Sequence, residues 1–381
     1  MMILKNKKDI SFKIETSLLK EAIFKISTVI EKKVNRPILG HCLFQGNQHN
    51  LTIVGTDLDI TCKVSIPLEI AILEPFSICI AIKSLLETVR ELPGEQVELI
   101  FDVENHFLHL SSDQLRFSLV YIKDEEFPAF HYELKGMQFH FPAQIFGKML
   151  GQYSYAMSHD ETRIFLNGLF LQHINNKLRF VSIDGHRLAM GQLPIELPAN
   201  EILSHGIIIP KKGVFEAKKV ADSSIQTNIT LWLDDGILIL CTDNTQLSIR
   251  LINREYPNYQ AVIPASTNYN INLKKSELFQ CVKRVKIFSN EQTQGIKINL
   301  KTGFLEISSS HNSLGKAQEK IFCEYQGNEI EFGLNAKYLQ DTLNNIEGDA
   351  ITIHFNNPQG PILFQSPQDN KGFGIIMPLK V

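Results

Sequence analysis

Phe12-Lys13-Ile14-Glu15 alternates apolar and polar side chains and leads directly into a stretch with helical spacing, as at Ile23 and Ile26. Alternation is typical of a half-buried strand, whereas spacings of three and four residues are typical of an amphipathic helix. The same arrangement returns at Phe139-His140-Phe141-Pro142 and at Ile271-Asn272-Leu273-Lys274. We therefore expect a strand-helix unit present in three copies.

Each copy continues with a second alternating strand. These strands are Leu51-Thr52-Ile53, Leu178-Arg179-Phe180 and Leu305-Glu306-Ile307, which begin 39, 39 and 34 residues after the openers. The predicted helices span 17–33 and 83–91, 142–155 and 211–221, and 274–286 and 335–346, with Asn335 as an N-cap. Breaks are expected near Gly136 and near Pro264. The pattern predicts three β-rich α+β domains of like fold, at 1–136, 137–265 and 266–381.

Composition excludes several classes of protein. Hydrophobic residues form 44% of the 381 residues and charged residues 21%, which is typical of a globular chain. The six cysteines lie far apart and form no Cys-x-x-Cys pair, so we expect buried thiols in a reducing compartment and no metal site. No apolar run reaches the roughly 18 residues that span a bilayer, and no signal peptide is recognisable, so we expect a cytoplasmic protein without a membrane partner.

The charges are unevenly distributed, although the net charge is only −3. The six predicted helices hold 17 Lys and Arg against 7 Asp and Glu, whereas the remaining chain holds 21 against 34. Basic helices within an acidic shell favour a surface that contacts phosphates on one side only. The alternative is that these side chains merely solvate exposed helix faces.

The repeats suggest a geometry for that basic surface. If each copy presents its two helices to the same side, one chain forms an arc of six helices and two chains can close a ring. Such a ring would hold duplex DNA by encirclement, and its phosphate contacts would let it slide without reading sequence.

Seven short strings support this hypothesis. They are Pro37-Ile38-Leu39-Gly40, Gly55-Thr56-Asp57-Leu58-Asp59, Asp184-Gly185-His186-Arg187-Leu188-Ala189, Pro210-Lys211-Lys212-Gly213-Val214, Tyr256-Pro257-Asn258-Tyr259, Ser289-Asn290-Glu291 and Met377-Pro378-Leu379-Lys380-Val381. In this order and spacing the chain resembles the bacterial sliding clamps, the β subunits of DNA polymerase III, over essentially its whole length. The resemblance implies three domains of the DNA clamp fold, each with two helices lining a central pore, in a ring-shaped head-to-tail homodimer.

The resemblance also implies a processivity factor, without a cofactor, that tethers polymerases to double-stranded DNA. The replicative polymerase, the clamp loader and other partners would bind by short peptides with apolar and aromatic anchors. The pocket for these peptides would be formed by Leu166, Gly185, His186, Arg187, Leu188, Pro257, Val262, Ile375, Met377, Pro378 and Leu379. The chain departs from the family's commoner residues at Ile183, where threonine is frequent, and at Ala261, where arginine is frequent.

Two further sets of residues follow from the resemblance. Matching positions predict DNA contacts by Lys33, Arg163, Phe165, Lys211 and Lys212. The dimer interface would join Arg116, Phe117 and Leu119 of the first domain to Ile287 and Phe288 of the third. The alternative is that Phe117 and Leu119 belong to the core of the first domain.

Other classes of function remain as alternatives. His186 with Asp184 as its orienting group would be an acid-base pair, but adjacent residues are more typical of a tight glycine turn, and catalytic His and Asp usually converge from separate elements. The carboxylates Asp57 and Asp59 and the run 124–126 are more typical of turns and surfaces than of catalytic or metal sites. No phosphate-cradling glycine loop, zinc motif or nucleophile elbow is present in the sequence. We therefore expect a non-catalytic protein, with a protein-binding β-rich scaffold as the alternative to a clamp.

Overall fold

The computed structural model describes residues 10–31, 36–129, 134–198, 201–234 and 236–380, except the side chains of residues 70, 73, 369 and 370. Contacts divide the chain into two compact units. The first unit comprises Met1–Gly147 and Glu216–Arg250, and the second comprises Lys148–Phe215 and Leu251–Val381.

The first third of the chain contains six strands and two helices, in the order strand, helix, two strands, helix and three strands. Its elements are β1 Ile10–Glu15, α1 Thr16–Val29, β2 His41–Thr56, β3 Ile60–Ala81, α2 Ile82–Arg90, β4 Gln96–Asp102, β5 Phe107–Ser112 and β6 Leu115–Lys123. A 3-10 turn at Pro37–Gly40 precedes β2.

The middle third has the same general order, but four strands rather than two lie between its two longer helices. Its elements are β7 Met137–Pro142, α3 Ala143–Tyr153, β8 Gly168–Ile174, β9 Lys177–Ile183, β10 Arg187–Pro194, α4 Glu201–His205, β11 Ile207–Pro210, α5 Lys211–Ser223, β12 Asn228–Asp234, β13 Ile237–Cys241 and β14 Thr245–Arg250. Short 3-10 turns lie at Ile164–Leu166 and Tyr259–Val262.

The last third repeats it again. Its elements are β15 Tyr269–Lys274, α6 Lys275–Val285, β16 Gly295–Lys301, β17 Phe304–His311, β18 Gly315–Phe322, β19 Ile330–Asn335, α7 Ala336–Asn345, β20 Ala350–Phe355, β21 Ile362–Ser366 and β22 Asp369–Ile376. A 3-10 turn at Lys286–Phe288 follows α6.

The six predicted helices are present as α1, α2, α3, α5, α6 and α7. The helix predicted for 17–33 is shorter in the structure, where α1 ends at Val29 and Ile30 already has extended backbone angles. Asn335 is the N-cap of α7, since its side chain accepts a hydrogen bond from the Tyr338 backbone N–H at 3.0 Å. The one-turn helix α4 was not predicted, because five residues are too few for a periodic signal.

The strand pairing confirms a threefold repeat. Each opening strand pairs antiparallel with the strand that follows the second helix of its copy: β1 with β4, β7 with β12, and β15 with β20. Each of these pairs extends into a four-strand row, which is β1-β4-β5-β6, β7-β12-β13-β14 or β15-β20-β21-β22. The predicted α+β class with three like domains is therefore confirmed.

Each repeat also shares a sheet with the repeat before it. β14 pairs with β3 to complete a ten-stranded sheet in the first unit, and β22 pairs with β10 to complete an eight-stranded sheet in the second. A separate four-stranded sheet of order β18-β17-β16-β19 belongs to the second unit. Alternating strands and helix stripes bury the apolar side chains between these layers, as at Ile271, Leu278 and Ile298.

Gly136 lies where the first break was predicted. Its φ is +86°, in the left-handed region that favours glycine, and an added Cβ would lie 2.1 Å from the Leu233 carbonyl oxygen. The chain therefore needs a glycine to enter β7 beside β12.

Candidate functional site

The predicted pocket residues begin at a tight turn between β9 and β10. The Asp184 Oδ1 atom accepts hydrogen bonds from the backbone N–H groups of His186 at 2.9 Å and Arg187 at 3.0 Å. Gly185 has a φ of +94°, and an added Cβ would lie 2.9 Å from Nη1 of Arg163. The turn is thus fixed by an aspartate that caps it and by a residue without a side chain.

The Arg187 side chain turns inward from this turn and is only 8% exposed. Its Nε donates to Asp184 Oδ2 at 3.0 Å, and its Nη1 donates to Asp341 Oδ2 on α7 at 2.7 Å. The guanidinium also lies 4.3 Å from the ring centre of Tyr338, within the range of a cation–π contact. Arg187 therefore joins the turn to α7 through a partly buried ion pair.

Several predicted pocket residues meet in one apolar cluster of the second unit. Leu188 and Ile375 are buried there, Val262 is half-buried against them, and Ile183 packs beside them. The stacked rings of Phe170 and Tyr256, with centroids 4.4 Å apart, form part of the same cluster. An apolar cluster with half-exposed members can accept the anchor side chain of a ligand.

The remaining predicted pocket residues differ in their burial and in their contacts. The Met377 backbone N–H donates to the His186 carbonyl oxygen at 2.8 Å, which holds the end of β22 against the turn. Met377, Pro378 and Pro257 are half-buried. Leu379 pairs instead with Gly333 of β19, and Leu166 is buried at the end of its 3-10 turn. Gly185 and His186 are exposed, so they, Val262, Met377 and the two prolines have surface left for a partner.

His159 lies beside Lys211, one of the predicted DNA-contact residues. Lys211 Nζ lies 2.7 Å from His159 Nε2. The Lys211 charge, with burial and the charges of Lys337 and Arg187, lowers the pKa of His159, and burial and Arg187 lower that of Lys211. The neighbouring positive charges therefore disfavour protonation of His159, and an anion such as a phosphate bound beside Lys211 would offset this effect. No local sequence signal singled out His159.

The other predicted DNA contacts are differently placed. Arg163 is partly exposed and its Nε donates to Asp160 Oδ2 at 2.8 Å. Phe165 packs partly buried against the apolar cluster, and Lys212 is half-buried at the start of α5. Lys33 lies outside the described residues.

Some helix lysines bind protein oxygens rather than facing solvent alone. Lys20 donates to the Leu92 carbonyl at 2.9 Å and Lys275 to the Ile346 carbonyl at 2.6 Å. Lys148 pairs with Glu347 at 2.6 Å, and Lys25 pairs with Glu21 at the same distance. The basic excess of the helices thus overstates the charge that is available to a ligand.

The predicted interface residues of the first domain lie in β6, on a part of that strand that is an edge of its sheet. In β6, Phe117 and Leu119 point to one side and are half-buried, while Arg116 is exposed. Among the described residues, positions 115–120 of β6 pair with β5 alone, since β3 reaches only positions 121–123. Phe117 and Leu119 are absent from the buried core, which disfavours the alternative that they serve only there.

The third-domain side of the predicted interface is more open. Ile287 is 68% exposed in the 3-10 turn after α6, and Phe288 beside it is half-buried. Strand β18 forms the edge of its sheet and ends at Phe322, which is 84% exposed. Large exposed apolar side chains beside a free strand edge are typical of an association surface.

The geometry of the turn does not favour acid-base chemistry. The Asp184 carboxylate is directed at backbone N–H groups and at Arg187 rather than at the His186 ring, which stacks near Tyr338 with centroids 6.4 Å apart. Within the described ranges, no three His, Cys, Asp or Glu side chains come together as metal ligands. All six cysteines are free, and burial raises the pKa of the Cys62 thiol to about 12. None of the helices in the described ranges has the length and apolar character of a membrane-spanning segment.

Comparison with known proteins identifies the family. Models of the DNA polymerase III beta subunit match the chain in order, with the N-terminal domain at residues 10–131, the central domain at 140–258 and the C-terminal domain at 260–380. The beta sliding clamp of Proteus mirabilis is 26% identical over 370 residues, covering 97% of this chain and 100% of that protein. That of Caulobacter vibrioides is 28% identical over 373 residues, covering 97% and 99%.

Solved structures agree. The beta sliding clamp of C. crescentus superposes with a TM-score of 0.92 at 27% identity, covering 99% of this chain and 100% of that one. The DNA polymerase sliding clamp of Pseudomonas aeruginosa gives a TM-score of 0.91 at 25% identity, covering 98% and 100%. The chain belongs to the DNA polymerase III beta subunit family, the bacterial sliding clamps. Its function is that of a DNA sliding clamp, a non-catalytic processivity factor of DNA replication.

Proposed function

We propose that two copies of this chain join head to tail into a ring that encircles duplex DNA and tethers the replicative polymerase to it. Each chain would supply three domains, 1–136, 137–265 and 266–381, and the ring would enclose a pore lined by twelve helices. The matches to the family domains change over between residues 131 and 140, which supports the first boundary, and between 258 and 260, a few residues before the second. The protein would act in the cytoplasm.

The partner site would be the apolar cluster around the Asp184–Arg187 turn. Polymerases, the clamp loader and other partners would insert apolar or aromatic anchors of a short peptide beside Leu188, Val262 and Met377. A central apolar pocket with a polar rim is where binding energy concentrates in such complexes. The full set of proposed pocket residues comprises Leu166, Gly185, His186, Arg187, Leu188, Pro257, Val262, Ile375, Met377, Pro378 and Leu379.

DNA would be held by topology and by weak phosphate contacts. Lys211, Lys212, Arg163 and Lys33 would supply these contacts, with Phe165 nearby, and His159 would join them because Lys211 lies 2.7 Å from its Nε2. Such contacts read no sequence, so the ring could slide.

The two copies would meet through Arg116, Phe117 and Leu119 of one and Ile287 and Phe288 of the other. Head-to-tail association of unlike surfaces closes into a ring when the rotation between copies is right. The exposed Ile287 and the free edge of β6 are the features that support this pairing.

The observation that carries the proposal is the threefold repeat. Three like domains in each of two chains would give six like domains, which could be arranged around a closed ring. The protein should be loaded by a clamp loader with ATP onto nicked circular DNA and then washed at high salt. Retention on circles and release after linearisation would support encirclement. A β-rich scaffold that binds only proteins would be lost from both, and that result would refute the proposal.

A further inference from the structure

The turn that begins the proposed peptide pocket has a counterpart 127 residues earlier, at 57–60 instead of 184–187. In the earlier turn, Asp57 Oδ1 accepts from the backbone N–H groups of Asp59 at 3.0 Å and Ile60 at 2.6 Å. The Asp57 N–H also donates to the Ile60 carbonyl at 3.1 Å, as Asp184 does to Arg187 at 3.3 Å. The two turns are built alike.

The strand that closes the pocket is duplicated as well. Arg250, at the end of β14, donates its backbone N–H to the Asp59 carbonyl at 2.8 Å, and Met377 donates in the same way to His186 at 2.8 Å. Both donors again lie 127 residues apart. Pro128 lies beside the first turn and follows Phe127, as Pro257 follows Tyr256 of the apolar cluster. The first unit thus contains a repeat of the pocket's framework.

This framework encloses an open groove of about 150 Å³ in the first unit. Leu58, Asp59 and Arg250 line it together with Pro128 and Ile237. Leu58 and Ile237 are 46% and 37% exposed, so apolar surface is available to a ligand at the groove.

Leu58 is the least expected residue of the turn. Its φ is +83°, where Gly185 of the second turn has +94°. Side chains with a Cβ are strained in this region, and glycine is not. Because Leu58 is also half in solvent, its side chain contributes little to the core. An exposed leucine kept at a strained position indicates a binding role rather than a packing role.

The groove differs in chemistry from the pocket it repeats. At the positions of Leu188, Ile375 and Met377, the groove has Thr61, Ser248 and Arg250.

Its surroundings are acidic. Asp57 and Asp59 lie in the turn, Asp234 precedes the Ile237 strand, and the run 124–126 leads into Pro128. Two basic residues of the same segments are paired, Arg250 with Asp59 at 3.3 Å and Lys123 with Glu125 at 3.8 Å. Lys63 lies further along β3. Negative charge remains in excess, which favours a positively charged ligand.

We propose that this groove is a second docking site, which takes an extended, lysine-rich peptide segment of a partner protein. Leu58 and Ile237 would contact an aliphatic residue of the peptide, and Asp59 would bind a lysine on release from Arg250. The inference rests on the proposed function, because it extends the peptide-binding role of the second turn to the first. Two ligands of different chemistry could then be held by one chain at once.

The test uses the full-length protein and two fluorescein-labelled peptides in fluorescence anisotropy. One is basic, Gly-Lys-Leu-Lys-Ser-Lys-Gly, and the other carries leucine and phenylalanine anchors without lysine. Asp59→Lys should weaken the basic peptide by about tenfold or more and leave the apolar one unchanged. Met377→Ala should weaken binding of the apolar peptide and leave that of the basic peptide unchanged. Glu196→Lys, a charge change of equal size at an exposed residue far along the sequence, should leave the basic peptide's affinity near wild type.

Leu58→Gly gives a second measurement that does not depend on charge. Relief of the left-handed strain should keep or raise the thermal midpoint, while loss of the side chain weakens the basic peptide. A lowered midpoint with unchanged affinity would assign Leu58 to packing and overturn the inference. Equal weakening by Glu196→Lys and Asp59→Lys, or no binding of the basic peptide to wild type, would do the same. If the apolar peptide also fails to bind wild type, the proposed pocket fails as well.

Discussion

Arg187 Nη1 and Asp341 Oδ2 lie 2.7 Å apart although the residues are 154 positions apart in the chain. The arginine is 8% exposed, so its charge is largely removed from water. A buried charge is tolerated only with partners, and here Asp184 and Asp341 supply them. The proposed pocket turn is therefore held to α7 by an interaction that no local sequence pattern encodes.

Removal of one of these partners should destabilise the fold. Asp341→Ala should lower the free energy of unfolding by about 2 kcal/mol, because the guanidinium keeps Asp184 but loses one charged hydrogen bond. Urea denaturation at fixed protein concentration measures this change in the free energy of unfolding. Asp222→Ala, which breaks the exposed pair with Lys218, is the matched control and should cost at most about 0.5 kcal/mol. If Asp341→Ala and Asp222→Ala lower the free energy of unfolding equally, Arg187 does not stabilise the fold through Asp341.

Met377→Ala and Leu188→Ala should separate binding from stability. Met377 is half-buried at the proposed pocket, so its truncation should weaken an apolar-anchor peptide by about tenfold with little change in the thermal midpoint. Leu188 is 1% exposed, so its truncation should lower stability by about 2–5 kcal/mol as well. Isothermal titration and differential scanning calorimetry report the two quantities. Unchanged peptide affinity in both variants would remove the pocket assignment.

Ile287→Lys with Phe288→Lys should convert the dimer to monomers. Ile287 is 68% exposed, so the lysine there should not disturb folding of the chain, whereas in an interface it would be an unpaired buried charge. Sedimentation velocity measures the state of association. Ile225→Lys, at a residue of the first unit that is 96% exposed and outside the predicted interface, is the control and should remain dimeric. A double variant that sediments as a dimer would place the interface elsewhere.

The His159 imidazole should report on Lys211. Because the folded-state pKa of His159 is lowered, the unfolded chain binds more protons between that value and about 6.5. The titration of His159 therefore does not affect stability above about pH 6.5, where the imidazole is neutral in the folded and the unfolded chain. Stability falls as the pH decreases from there towards the folded-state pKa. Lys211→Met should raise the pKa of His159, as measured by NMR titration. Lys218→Met, on the same helix, should leave it unchanged.

Lys211 and Lys212 should also govern the salt dependence of DNA binding. If each contacts one phosphate, Lys211→Met with Lys212→Met should reduce the slope of log affinity against log salt by about 1.8 for duplex DNA. The effect should be the same for unrelated DNA sequences. Anisotropy with labelled duplexes at several salt concentrations measures the slope, and an unaltered slope would exclude both lysines from the contact.

The sequence predicted the elements whose signal is local. The alternation at Phe12 and Phe139 predicted strands that the structure contains. The turn at 184–187 was also predictable, because aspartate often accepts backbone hydrogen bonds in turns and glycine allows the backbone angles that turns need. Asn335 was likewise identified as a cap.

Features that depend on distant contacts were not predictable. The Arg187–Asp341 pair and the approach of Lys211 to His159 join residues far apart in sequence. The basic charge count was misleading for a similar reason, because it could not show that Lys20 and Lys275 bind carbonyl oxygens of neighbouring loops. Pocket and DNA-contact residues beyond the turn came from the resemblance to the family rather than from local chemistry.

The pairing of β14 with β3 has a consequence for how the chain can be divided. A fragment that stops at residue 136 would strip the partner from positions 60–64 of β3 and expose a row of bare amide and carbonyl groups. Such a row templates the addition of strands from other molecules and drives aggregation. The duplicated modules are thus not autonomous folding units: the first should be insoluble when it is excised, even though its sequence reads as a complete domain.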